Sequence, residues 1–140
     1  MTTVVKADRA DGGLLGSLLD FAQTHQDRLA KEVAALRVTV PQAKVLYHVD
    51  DAPTVRKLAA KLRCDASYVT GLVDRLEEQK LLRRQVDPED RRVKKLTLTA
   101  AGRRLRTKVV RAMDDAPGLA LLSADEKRQL EDLLRKASAN

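Results

Sequence analysis

Between Asp65 and Leu98 the chain reads DASYVTGLVDRLEEQKLLRRQVDPEDRRVKKLTL. The first part offers hydroxyl groups and a phenol at Ser67, Tyr68 and Thr70. The second offers guanidinium and ammonium groups at Arg83, Arg84, Arg91, Arg92, Lys94 and Lys95. Hydroxyls can address base edges or phosphates, and clustered cations address a phosphate backbone. The charge is concentrated there. From Arg56 to Arg106 there are 15 Lys and Arg against 7 Asp and Glu, a net of +8, while the whole chain carries +7. Localised positive charge suits a polyanionic partner. Other chemistry is poorly supplied. His25 and His48 are isolated, and the single cysteine, Cys64, excludes a disulfide framework and a cysteine-based structural zinc site. With no nucleophile–base arrangement, metal-ligand cluster or phosphate-binding glycine loop, the expectation is a binding protein without cofactor or metal, not an enzyme.

These groups need elements to hold them. At 140 residues one domain is expected, with a core of Leu, Val and Ala, since the aromatics are only Phe21, Tyr47 and Tyr68. That scarcity argues against a single-strand reader that stacks bases on aromatic platforms. Residues 1–13, ending in Gly12-Gly13, read as a loosely attached tail. A helix is predicted from Leu14 to Leu36, with a stripe at Leu15, Leu18, Ala22, Leu29, Val33 and Leu36 and His25 filling its gap. Thr39-Val40-Pro41-Gln42 is a capping box flanked by a Val38/Ala43 staple, and it opens a second helix that runs to Val49. Thr54 caps a third helix, Val55–Leu62, and Asp65 caps a fourth, Ala66–Gln79. Two short helices across the Arg63-Cys64-Asp65 turn form a helix-turn-helix. Leu81–Val86 and Val93–Leu98 are strands joined by the turn Asp87-Pro88-Glu89-Asp90, making a hairpin, or wing. Thr99 caps a fifth helix, Pro117-Gly118 ends that region, and Ser123-Ala124-Asp125-Glu126 opens a last one. No apolar run reaches membrane-spanning length and the N-terminus has no secretory signal pattern, so the cytoplasm is the expected location and no membrane partner is expected.

The segments TVRKLAAKLRCDAS, VTGLVDRLEEQKLL and DPEDRRVKKLTLTAAG are similar to the MarR family of bacterial transcription regulators. The third is the most specific: Asp90-Arg91-Arg92 matches the family's Asp-x-Arg wing signature, and Leu98 to Gly102 its Leu-Thr-x-x-Gly. The resemblance implies a mainly α fold with a small β-hairpin, a winged helix-turn-helix. It also implies a homodimer held by the first and last helices, and often a small-molecule effector pocket between the dimerisation and DNA-binding regions. The expected division is 1–38 for the tail and dimerisation helix, 39–102 for DNA binding, and 103–140 for C-terminal dimerisation. Arg63 and Lys80 depart from the pattern, standing where the family often has glycine.

On this reading the fourth helix enters the major groove of double-stranded DNA with its N-terminal end foremost, presenting Ser67, Tyr68, Thr70 and Gly71. Tyr68 either donates to phosphate, packs on a thymine methyl, or serves only as a packing residue. By resemblance, Arg75 contacts phosphate or rests against the wing, Arg92 enters the minor groove, and Asp90 orients it or merely forms the turn. Arg91 shares the wing tip with Arg92. Lys94, Lys95, Arg83 and Arg84 read as phosphate contacts or solvated charges. Cys64 is read first as a buried small hydrophobe, with a redox-active thiol as the alternative. The resulting expectation is a dimeric repressor on a pseudo-palindromic operator. The alternatives are a thiol-based sensor acting through Cys64 and an architectural DNA binder without a specific operator.

Overall fold

The computed structural model describes residues 13–139. Six helices and one hairpin follow in the order α1 (Gly13–Ala35), α2 (Val40–His48), α3 (Val55–Leu62), α4 (Ala66–Glu78), β1 (Leu82–Val86), β2 (Lys94–Leu98), α5 (Ala100–Asp114) and α6 (Ala124–Ser138). This is the expected winged helix-turn-helix arrangement. The tail expected over residues 1–13 lies outside the described residues, apart from Gly13, which opens α1. A short 3-10 turn at Leu119–Leu121, not expected from the sequence, joins α5 to α6.

Local signals set most boundaries. Thr39 Oγ1 accepts the Gln42 N–H at 3.3 Å and Gln42 Oε1 accepts the Thr39 N–H at 3.0 Å, completing the capping box. Thr54 accepts from Lys57 N–H, and Ser123 and Glu126 form a second box. Asp65 stands at the N-cap of α4 but its carboxylate makes no capping bond, so only its backbone carbonyl serves, accepting the Val69 N–H. Three helix ends close in a left-handed residue that is not glycine: Arg37 (φ 63°), Arg63 (φ 54°) and Lys80 (φ 59°). In each the following N–H returns to a carbonyl five residues back: Val38 to Val33, Cys64 to Ala59, and Leu81 to Leu76. Such a conformation costs about 1 kcal/mol without glycine, and a cation at the negative end of a helix offsets part of that.

The core is aliphatic. Val33 of α1, Val45 and Leu46 of α2, Leu58 of α3, Val69, Val73 and Leu76 of α4, Leu82 of β1 and Val109 of α5 are fully buried. The hairpin is antiparallel with Leu82 opposite Leu98 and Arg84 opposite Leu96. Its far side is tied to the α2–α3 loop by Leu96 N–H donating to the Pro53 carbonyl at 2.7 Å. The root of the wing is riveted to α5. Thr99 Oγ1 accepts from Gly102 N–H and donates to the Lys80 carbonyl at 2.7 Å, and Thr99 N–H donates to the Leu81 carbonyl. A Cβ on Gly102 would lie 1.9 Å from the Leu81 oxygen, so only glycine fits. The terminal helices are different. Of the stripe expected on α1, only Leu29 and Val33 are buried, while Leu15 and Ala22 are exposed and Leu18 and Leu36 half-buried. No residue of α6 is buried.

Candidate nucleic-acid interface

Helix α4 buries Val69, Leu72, Val73 and Leu76 against the core. The 3.6-residue period therefore turns Ser67, Gly71, Asp74, Arg75 and Glu78 outward, and all five are exposed. Thr70 is half-buried and its hydroxyl donates to the Ala66 carbonyl at 2.9 Å, leaving its lone pairs free to accept. Ser67 has no hydrogen-bond partner among the described residues. Tyr68 is 52% exposed. Its ring covers a small cleft shared with Pro41, Lys44, Leu62, Cys64 and Leu72, and its hydroxyl has no partner among the described residues. Gly71 has open space on its outer side: a Cβ there would meet nothing within 4 Å. Neither packing nor backbone geometry asks for glycine at this position.

The hairpin tip is built from two carboxylate turns. Asp87 Oδ1 accepts the Glu89 N–H at 3.0 Å, and Asp90 Oδ1 accepts the Arg92 N–H at 3.1 Å. Asp90 thus fixes the backbone of Arg92 and makes no ion pair with its guanidinium. Arg91, Arg92 and Lys94 are exposed and unpaired among the described residues, as is Arg75 on the neighbouring helix. Lys95 is held by Asp87 at 3.5 Å. The Asp87 carboxyl is pushed below the usual aspartate range by the Glu89 N–H, with Lys95 adding to the effect against partial desolvation.

Arg84 departs from its expected role as a phosphate contact or solvated charge. Its guanidinium donates to Asp74 Oδ1 at 2.6 Å and Glu77 Oε1 at 2.9 Å, and its backbone N–H donates to Glu77 Oε2. Burial pulls its pKa down, but the bonds and charges of Asp74 and Glu77 outweigh that and leave it above the ordinary arginine value. Nothing local marks this pairing, because one more arginine in a basic strand looks like its neighbours. The electrostatic result is asymmetric. Asp74 and Glu77 share the single charge of Arg84 and Asp87 pairs with Lys95, while Arg75, Arg91, Arg92 and Lys94 have no ion-pair partner among the described residues.

Cys64 is half-buried, where the sequence reading had it buried, and its thiol donates to the Leu62 carbonyl at 3.2 Å. A second network, also missed, lies behind the interface. Arg106 donates to the Leu46 and Tyr47 carbonyls at the end of α2 and approaches Asp50 at 3.4 Å. The Tyr47 hydroxyl donates to Asp114 at 2.7 Å, which, with burial, raises its pKa. Between α1 and α5 an open cleft of about 330 Å³ is lined by Glu32, Leu36, Lys108, Arg111, Ala112 and Asp115. No described helix is long and apolar enough to cross a membrane.

A sequence model of the MarR family matches residues 38–94. The organic hydroperoxide resistance transcriptional regulator of Bacillus subtilis is 32% identical over 101 residues, covering 71% of this chain and 69% of that protein. Among solved structures, CouR from Rhodococcus jostii RHA1 bound to p-coumaroyl-CoA is 30% identical with a TM-score of 0.78, covering 92% of this chain and 94% of that one. A cysteine-to-serine variant of MarR from E. coli complexed with operator DNA is 28% identical with a TM-score of 0.72, covering 89% and 94%. The chain belongs to the MarR family of transcriptional regulators.

Proposed function

We propose that this chain is a sequence-specific binder of double-stranded DNA that represses transcription as a homodimer on a pseudo-palindromic operator. One observation carries the reading: four exposed cations, Arg75, Arg91, Arg92 and Lys94, have no ion-pair partner among the described residues and flank the outward face of α4, while Asp74, Glu77 and Asp87 of the same region are held in ion pairs. In this reading α4 lies in the major groove, Ser67, Tyr68, Thr70 and Gly71 meet base edges, and Arg75 meets phosphate. Arg91 and Arg92 reach the adjacent minor groove, whose narrow, negative floor suits a planar guanidinium, and Asp90 sets their backbone. Lys94 meets phosphate. Residues 39–102 form the DNA-binding region, and the helices of 1–38 and 103–140 form the dimer. Two α4 helices about one helical turn apart then cover a promoter and exclude polymerase.

The MarR–operator complex supports the DNA reading, and the CouR complex supports release by a small-molecule effector. Selection from random duplex DNA with the purified protein tests the reading. A two-fold-symmetric consensus is expected, bound at least a thousandfold more tightly than random sequence. A ratio near one would leave only an architectural binder.

A second reading, a thiol switch at Cys64, is favoured by the hydroperoxide-linked relative and by the place of half-buried Cys64 in the lining of a cleft with Tyr68. Peroxide that releases DNA from the native protein but not from Cys64→Ser would establish it.

A further inference from the structure

The wing and α4 must read two grooves at once, so the angle between them matters as much as the groups they carry. The root of the wing is held by buried Leu82, Leu96 and Leu98 and by the Thr99 and Leu96 hydrogen bonds, which leaves the exposed side of its junction with α4 to polar side chains. The polypeptide leaves α4 at Lys80 and enters β1 at Leu82. Beyond that turn, the polar link from wing to helix is Arg84. It reaches back 10 residues to Asp74 and 7 residues to Glu77, with its side chain 21% exposed. Glu77 takes both the guanidinium and the backbone N–H of Arg84, so side chain and strand are fixed together. A planar, forked donor holding two carboxylates resists rotation in a way that an ammonium cannot.

The same contacts have an electrostatic side. Asp74 stands on the outward face of α4 beside Arg75, where a bare carboxylate would oppose phosphate. Arg84 therefore offsets one of the two carboxylate charges beside the reading surface while its own guanidinium is engaged.

Resting on the DNA-binding reading above, we propose that Arg84 is a positioning residue that sets the wing against α4 and masks Asp74 and Glu77 from the DNA backbone. Its contribution is to discrimination between sequences, not to phosphate contact. The substitutions Arg84→Met and, separately, Asp74→Ala with Glu77→Ala remove the donor or the acceptors of the same link with opposite changes of charge.

The test measures affinity for the selected operator and for random duplex across a salt series, with folding checked by circular dichroism. Both variants are expected to lose about tenfold in the ratio of operator to random binding. The double acid variant should bind random duplex severalfold more tightly than the native protein, and Arg84→Met more weakly. The inference is overturned if the ratio stays within twofold of native in the double acid variant. It is also overturned if Arg84→Met lowers both DNAs equally and reduces the salt slope by about one, the mark of a lost phosphate contact. The native protein and Arg92→Ala serve as controls. A native protein without salt-dependent DNA binding would refute the underlying reading, which is a different outcome from either of these.

Discussion

Replacing Gly71 by alanine should make the protein more stable and its DNA binding weaker. Gly71 lies mid-helix on the outward face of α4, with ordinary helical backbone and nothing within 4 Å of where a Cβ would go. The added methyl therefore meets no internal obstacle. Alanine is favoured over glycine in a helix interior by about 1 kcal/mol. For a chain of this size that raises the melting temperature by about 4 °C. A native sequence that forgoes this gain has a reason outside the folded chain, and close approach of a DNA groove supplies one. A methyl forced into a fitted contact costs about 1–3 kcal/mol, or about fivefold in affinity at the lower end. Thermal melting by circular dichroism and operator titration by fluorescence anisotropy, at one salt concentration, measure the two effects on the same samples. A variant that melts higher and binds the operator within twofold of native would refute the close-approach argument. One that melts lower would refute the helical one.

Three further outcomes are expected. Gly102→Ala should destabilise the fold by at least 2–3 kcal/mol, since its Cβ would fall 1.9 Å from a backbone oxygen, and denaturant unfolding checks it. Arg92→Ala should weaken operator binding by about 1–3 kcal/mol with melting unchanged, whereas Lys94→Ala should weaken all duplexes alike and lower the salt slope by about one. The His48 pKa is pushed below 6.5 by burial, with Lys61 adding to it, so the unfolded chain takes up the proton first as pH falls. Stability should hold above pH 6.5 and decline below it, and His48→Gln should flatten that part of a melting-temperature profile.

What could be read from the sequence was what is decided within a few residues. The caps at Thr39, Thr54, Thr99 and Ser123 stand where expected, and the third helix has its expected ends, Val55 and Leu62. Both strands begin one residue later than their apolar runs, at Leu82 and Lys94, because pairing rather than composition defines their start. The left-handed sites at Arg63 and Lys80 were legible through the glycine usual there, but Arg37 carried no comparable signal. What escaped was long-range. Arg84 meeting Asp74 across the wing turn, and Arg106 meeting α2 carbonyls 59–60 residues away, depend on how elements pack and leave no periodic trace. The unburied front of α1 escaped for the same reason: a stripe shows that a helix needs cover, not where the cover comes from.

Helix α6 has 15 residues and none of them buried. A helix of that length, left to itself in water, is only marginally formed. Its apolar side, with Leu130 and Leu134, faces Leu18 and Phe21 across a groove of about 590 Å³ that one chain leaves unfilled. If a second chain fills it, order in this part of the molecule becomes a function of how many copies are present. Helical content measured over a dilution series should then fall together with the dimer. In a cell the same coupling would make the regulator sensitive to gene dosage: below a threshold copy number the protein would lose both its partner and part of its own shape, so that halving its expression would remove more than half of its occupancy on DNA.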